Sequence, residues 1–229
     1  MVALGNAAAE LCLRLAAAAE PRAEAARLAA EVGEELARGA NVLAEQARPF
    51  VRGVVLTYSL SGSVLAALRA AGPAGVVLTE ARPLCEGRTM AAALAAAGVP
   101  VVLITEAQLA LYVAEVSCAL LGADALLPDG SFVNKVGSAL VALAARDAGR
   151  PVYVVSDLLK ACAAPPPYEE DPPSQVWEAP RAGIVVRNVA FERVPPHLVT
   201  AYITPAGVHV PAEMAARVAE RAARWAWVR

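Results

Sequence analysis

The chain carries 20 basic residues, and only two of them are lysine, Lys135 and Lys160. A lysine ammonium is a compact point charge on a flexible stem, where arginine offers a planar fork. A chain this rich in arginine either keeps lysine where the ammonium is wanted or keeps two by chance. The residues beside them favour the first reading. Asp124 follows Gly122-Ala123; in a partly buried site such a carboxyl moves toward neutrality and can act as a general acid or base, or it simply caps a turn. Asn134-Lys135 stands at what reads as the start of an apolar helix, where an ammonium opposes the macrodipole unless an anion offsets it. Ser61-Gly62-Ser63 also precedes a helix, and either holds phosphate on backbone N–H groups and hydroxyls or forms an ordinary N-cap. Arg82, before Pro83, is a phosphate or carboxylate clamp or a surface salt-bridge partner. Neither GxGxxG nor a Walker lysine is present. Cys85 reads as an ordinary small residue, and neither His197 nor His209 takes a role.

These residues need a frame to bring them together. Short apolar runs read as buried strands: Val54–Tyr58, Val76–Thr79, Val101–Thr105, Cys118–Leu121 and Val152–Val155. Between them lie helical stretches ending at Ala71, over Thr89–Ala97, over Gln108–Val116 and over Lys135–Ala148. Apolar strands alternating with helices predict a doubly wound, Rossmann-like α/β fold with a mainly parallel sheet. Ser59, Ser61, Arg82, Asp124, Asn134, Lys135 and Lys160 all fall just past strand ends, where such a sheet binds ligands. Ahead of the sheet, residues 1–49 predict a helical hairpin broken at Glu20-Pro21, with Pro21 in the first turn of the second helix. Residues 50–229 form the α/β domain. Its proline-rich stretch 163–180 predicts an exposed extended connector, and Ile184–Val186 and Ala201–Ile203 read as late strands. Pro211 opens a last helix carrying Trp225 and Trp227, taken as packing or oligomer contacts.

Composition narrows the function. The chain has 229 residues and a hydrophobic fraction of 58%, mostly small side chains, with a net charge of −2. No basic block or aromatic-basic pattern suggests nucleic acid. No uninterrupted apolar run reaches the ~18–20 residues of a membrane span, and the N-terminus does not read as a signal peptide. A cytoplasmic protein is expected. Four cysteines without CxxC spacing predict neither a metal site nor disulfides, and no cofactor is implied.

Several motifs occur in order: Leu56-Thr57-Tyr58-Ser59, Thr79-Glu80-Ala81-Arg82-Pro83 with Gly87, Gly122-Ala123-Asp124, and Asp129-Gly130 leading to Val133-Asn134-Lys135-Val136-Gly137. Further on stand Val186–Phe191, Pro195-Pro196 and Ile203-Thr204 with Gly207. Over roughly residues 50–215 the set resembles the initiation factor 2B alpha/beta/delta family, which includes methylthioribose-1-phosphate isomerase and ribose-1,5-bisphosphate isomerase. In those isomerases a cysteine and an aspartate move protons between sugar carbons, turning a phosphorylated aldose into a ketose. The resemblance puts Asp124 at that aspartate and Ser59 at the cysteine. It gives Asn134 and Lys135 substrate hydroxyls, Ser61 and Lys160 phosphate or substrate contacts, and Arg82 a place in a family motif. It also implies a homodimer.

The departures shape the expectation. The isomerases carry Thr-His-Cys where this chain has Thr57-Tyr58-Ser59, and a hydroxyl is a far weaker acid than a thiol of pKa ~8.5. Gly62 replaces a lysine of the first loop, and an N-terminal region with further substrate-binding arginines is missing. The expected function is binding of a phosphorylated sugar or nucleotide with catalysis absent or altered. The alternatives are an active isomerase using Asp124 with Cys85 or Tyr58 as substitute acid, and a translation-factor-like interaction protein without a ligand.

Overall fold

The computed structural model describes residues 2–168 and 170–225; Glu169 and Trp227 lie outside the described residues. Helices α1 (Val2–Ala17) and α2 (Pro21–Ala47) form the expected N-terminal pair, with Pro21 in the first turn of α2. Arg14 of α1 ties the pair together, reaching Glu35 of α2 at 2.6 Å.

The strands are β1 (Val54–Tyr58), β2 (Gly75–Thr79), β3 (Val101–Ile104), β4 (Cys118–Leu121), β5 (Ala125–Leu126), β6 (Phe132–Lys135), β7 (Val152–Val155), β8 (Phe191–Val194), β9 (Ala201–Thr204) and β10 (Gly207–His209). The helices between and after them are α3 (Gly62–Ala71), α4 (Glu86–Ala96), the single turn α5 (Leu109–Tyr112), α6 (Ser138–Asp147) and α7 (Pro211–Trp225). Seven strands make one sheet in the order β10-β9-β7-β4-β1-β2-β3, parallel except at β10. This is the doubly wound arrangement expected, with its strand order reversing between β1 and β4.

Side-chain alternation along each strand feeds two cores. In β4, Cys118 and Leu120 face a layer with Leu43 of α2, Leu68 of α3 and Met90 of α4. Ala119 and Leu121 face the other layer, with Ala9 of α1, Val141 of α6 and Trp225 of α7. The single alternation explains why β1, β2 and β4 read as continuous apolar runs: both faces are covered. Trp225 is buried in its own chain, and its indole N–H donates to Glu10 at 3.3 Å.

Three expectations need correction. Lys135 does not begin a helix: it ends β6, which pairs antiparallel with β8 in register Phe132↔Val194 to Lys135↔Phe191. The alanine-rich helical period after residue 138 runs back smoothly over Val133–Val136 and hides a strand that needs β8 to form. Ile184–Val186 forms no strand; Val185 is 82% exposed, and the strand of that region is β8, whose Phe191-Glu192-Arg193-Val194 finds a partner in β6. Helix α4 begins at Glu86, three residues before the expected Thr89. The described residues of 163–180 are largely exposed, and the stretch is tethered at Asp171, whose N–H donates to Asn188 O at 2.8 Å.

Leu120→Ala, which opens a void between sheet and helices, is expected to lower unfolding free energy by about 2–5 kcal/mol. Leu111→Ala, at a side chain 72% exposed, should stay within about 0.5 kcal/mol. Urea unfolding of both variants checks the assignment.

Candidate functional site

Where strand order reverses, the chain leaves β1 toward α3 on one face and leaves β4 toward α6 on the other. The two loops diverge and leave a crevice. A cavity of about 450 Å³ opens there, its walls including Ser59, Ser61, Glu86, Asp124, Asn134, Lys135 and Lys160. Six of the seven residues expected from the sequence therefore share one pocket. Arg82 does not: it borders a separate cleft with Pro83 and Val136, and its guanidinium donates to Val176 O at 3.4 Å.

Each wall has a local cause. Ser59 follows β1 in the left-handed region, φ 57°, a conformation that costs a non-glycine residue about 1–3 kcal/mol and recurs at functional sites. Ser61 is the N-cap of α3 and accepts from Val64 N–H at 3.4 Å, so the capping reading holds. Gly122 lets the two loops meet, since a Cβ there would lie 2.5 Å from Ser61 Oγ. Asp124 N–H donates to Val133 O at 2.7 Å, which pins the Gly-Ala-Asp turn to β6. Lys160 closes a 3₁₀ turn, Leu158–Lys160, capped by Asp157. Asn6 of α1 braces that turn by donating to Leu159 O and Ala161 O at 2.6 and 2.8 Å.

The macrodipole argument for an anion beside Lys135 falls with the helix that carried it. The N-terminus of α6 already has its carboxylate: Glu192 Oε1 accepts from Gly137 N–H at 2.7 Å and Ala139 N–H at 2.8 Å. Lys135 instead pairs with Glu86, Nζ to Oε2 at 3.4 Å, and the same Oε2 accepts from Ser59 Oγ at 3.0 Å. Asn134 Nδ2 donates to Ser138 Oγ at 2.8 Å, and Ser138 Oγ in turn to Lys135 O at 2.7 Å. Lys160 Nζ donates to Ala123 O.

Burial raises the Asp124 carboxyl above its ordinary value, with the Lys160 ammonium opposing the shift. Burial lowers Lys160, with Asp124 opposing. Both shifts are dominated by desolvation, the signature of charges held in a partly closed site. The two acids suggested as substitutes for the family cysteine are poorly placed. Cys85 is not among the pocket walls, and its thiol contacts Pro83 O at 3.6 Å. Tyr58 does line the pocket, but its hydroxyl donates to Val136 O at 2.5 Å and burial pushes it well above the ordinary phenol value. Sequence reasoning gave no site role to Glu86 or Phe191, both of which line the pocket. For Glu86 a signal existed: a carboxylate opening a helix just beyond a strand end. For Phe191 there was none without the β6–β8 pairing.

Against known proteins, the model of the initiation factor 2 subunit family matches residues 1–211. The chain belongs to that family. The match takes in the N-terminal helices, beyond the residues 50–215 where the motifs lie. The chain is similar to a translation initiation factor eIF-2B subunit 2-like protein of Pyrococcus horikoshii, 32% identical over 162 residues, 69% of this chain and 58% of that protein. It is 31% identical to a ribose 1,5-bisphosphate isomerase of Archaeoglobus fulgidus, over 70% of this chain and 55% of that one. It is 34% identical to a methylthioribose-1-phosphate isomerase of Syntrophotalea carbinolica, over 74% of this chain and 55% of that one. The chain thus spans little more than half the length of these curated relatives. Among solved structures, the translation initiation factor eIF-2B of P. horikoshii superposes with a TM-score of 0.76 at 28% identity, covering 92% of this chain and 76% of that one. Among the described residues no cluster of metal-ligating side chains occurs, and no helix is long and apolar enough to cross a membrane.

The titration of Asp124 is a direct check on the site. Its raised value means the folded state favours the protonated form, so its contribution to stability falls as pH rises from the unfolded value near ~3.9 through the folded one. Lys160→Met removes the main opposing charge and should raise the Asp124 value further, read by carboxyl carbon NMR. An unchanged or lowered value would separate the two residues.

Proposed function

We propose that this member of the initiation factor 2 subunit family binds a phosphorylated sugar or nucleotide in the crevice between β1 and β4, with the isomerase chemistry of its relatives absent or altered. One observation carries the reading: the chain's only two lysines, from β6 and from the turn after β7, converge on a single pocket with Asp124 and Asn134. Ammonium groups suit phosphate and hydroxyl oxygens, the carboxylate and amide suit sugar hydroxyls, and the pocket is of a size that takes such a ligand. The isomerase names of two relatives point to the same ligand class. Ser59 in place of a thiol is what alters the chemistry, because its hydroxyl gives up a proton far less readily.

A second reading, an active aldose–ketose isomerase, gains from Glu86, a second carboxylate in the same pocket. The proposal includes a cytoplasmic homodimer without nucleic-acid or membrane partners. Its α/β domain spans 50–229, and residues 1–49 are a helical segment laid against it. Trp225 is buried within the chain, so self-association draws on other apolar groups, such as the exposed Leu140 and Leu143 of α6.

Thermal unfolding with ribose 1,5-bisphosphate, methylthioribose 1-phosphate, simple sugar phosphates and nucleoside phosphates tests the proposal. A ligand at 100 times its Kd adds about 2.7 kcal/mol of stability. A rise in Tm with one phosphorylated compound, weakened in Lys135→Ala and Asp124→Asn, is expected. No rise across the panel would favour an interaction protein without a ligand.

A further inference from the structure

We propose that Glu86, and not Ser59, is the partner of Asp124 in proton transfer, the two carboxylates forming an acid–base pair that converts a phosphorylated aldose to its ketose. The inference rests on the sugar-phosphate reading above and goes beyond it by committing to turnover.

Three observations place Glu86 there. It opens α4 directly after Cys85, whose left-handed φ of 55° turns the chain from the end of β2 back to the crevice. Gly87 makes that turn possible, since a Cβ there would strike Thr79 O. The Glu86 carboxylate then lies in the pocket wall with Asp124, gripped through Oε2 by Ser59 Oγ at 3.0 Å and Lys135 Nζ at 3.4 Å. Both contacts are made to Oε2. The serine is the donor in its contact, and so orients the carboxylate rather than competing with it for a proton.

The two carboxyls have different surroundings. Asp124 keeps an exposed surface toward the pocket, while its surroundings and the nearby charge of Glu86 push its carboxyl upward, which suits an acid. Glu86 keeps the Lys135 ammonium at 3.4 Å.

The chemistry balances with these two groups alone. In an open-chain aldose phosphate, the Glu86 carboxylate removes the proton from C2. The C–H electron pair becomes the C1=C2 bond, and O1 takes a proton from the Asp124 carboxyl, giving an enediol. The Asp124 carboxylate then removes the 2-hydroxyl proton, C2=O forms, and the enediol pair takes the proton from Glu86 at C1. C2 is oxidised, C1 is reduced by the same pair, and both carboxyls return to their starting states. In an aldose 1-phosphate the ring oxygen replaces O1, taking the proton as its bond to C1 breaks.

The test is turnover beside binding. Ribose 5-phosphate, ribose 1,5-bisphosphate and methylthioribose 1-phosphate are incubated with the protein in D₂O, and ketose formation and deuterium at C1 are followed by NMR. Wild type should make ketose with at least one of them. Glu86→Gln should lower kcat by about 100-fold or more while keeping that compound's thermal shift, and Glu86→Asp should restore part of the rate. Binding without ketose or deuterium in wild type would overturn the inference and leave the proposed function standing. Turnover in Glu86→Gln within threefold of wild type would also overturn it. The absence of any thermal shift with all three would count against both.

Discussion

The reversal of strand order between β1 and β4 is the constraint on which the rest of this molecule depends. Parallel strands need crossovers that cover the sheet, and a right-handed crossover assigns each helix to a face according to the direction in which strands are added. Strands added outward from β1 as β2 and β3 place α3 and α4 on one face; strands added the other way place α6 on the opposite face. The loops after β1 and β4 must part at that boundary. Nothing about Ser59, Asp124 or the lysines creates the crevice; the topology opens it, and those residues furnish it.

Furnishing it has an electrostatic cost. Two carboxylates and two ammonium groups share a half-enclosed pocket, and desolvation shifts Asp124 and Lys160. The chain offsets this with near neighbours of opposite charge and with backbone oxygens: Glu86 with Lys135, Asp124 with Lys160, Lys160 with Ala123 O. The left-handed Ser59, and Cys85 in the turn just before Glu86, add backbone strain nearby. Strain and charge gathered around one crevice support the proposed ligand site.

Much of this was legible in the sequence because the sheet is buried on both sides. Apolar runs bounded by glycine and proline marked β1, β2, β4 and β7, and strand ends then named six pocket residues before any geometry. The failures came where local pattern and tertiary pairing compete. Val133–Lys135 lies against an alanine-rich helical period and becomes a strand only because Phe191–Val194, nearly 60 residues on, pairs with it. Ile184–Val186 has strand-like residues and no partner. Arg82 was grouped with the site because it follows β2, but the sharp turn through Cys85 sends Glu86 into the crevice and leaves Arg82 in the next cleft. A rule about strand ends names the neighbourhood; the turn decides which side chain enters.

The crevice between β1 and β4 is the proposed site for a phosphorylated ligand. The most direct measurement is a crystal structure of the protein grown with a sugar phosphate. The compound is expected between Asp124 and the two lysines, with Lys135 or Lys160 on a phosphate or hydroxyl oxygen. Ligand density elsewhere, with this crevice closed by the protein's own side chains, would contradict it.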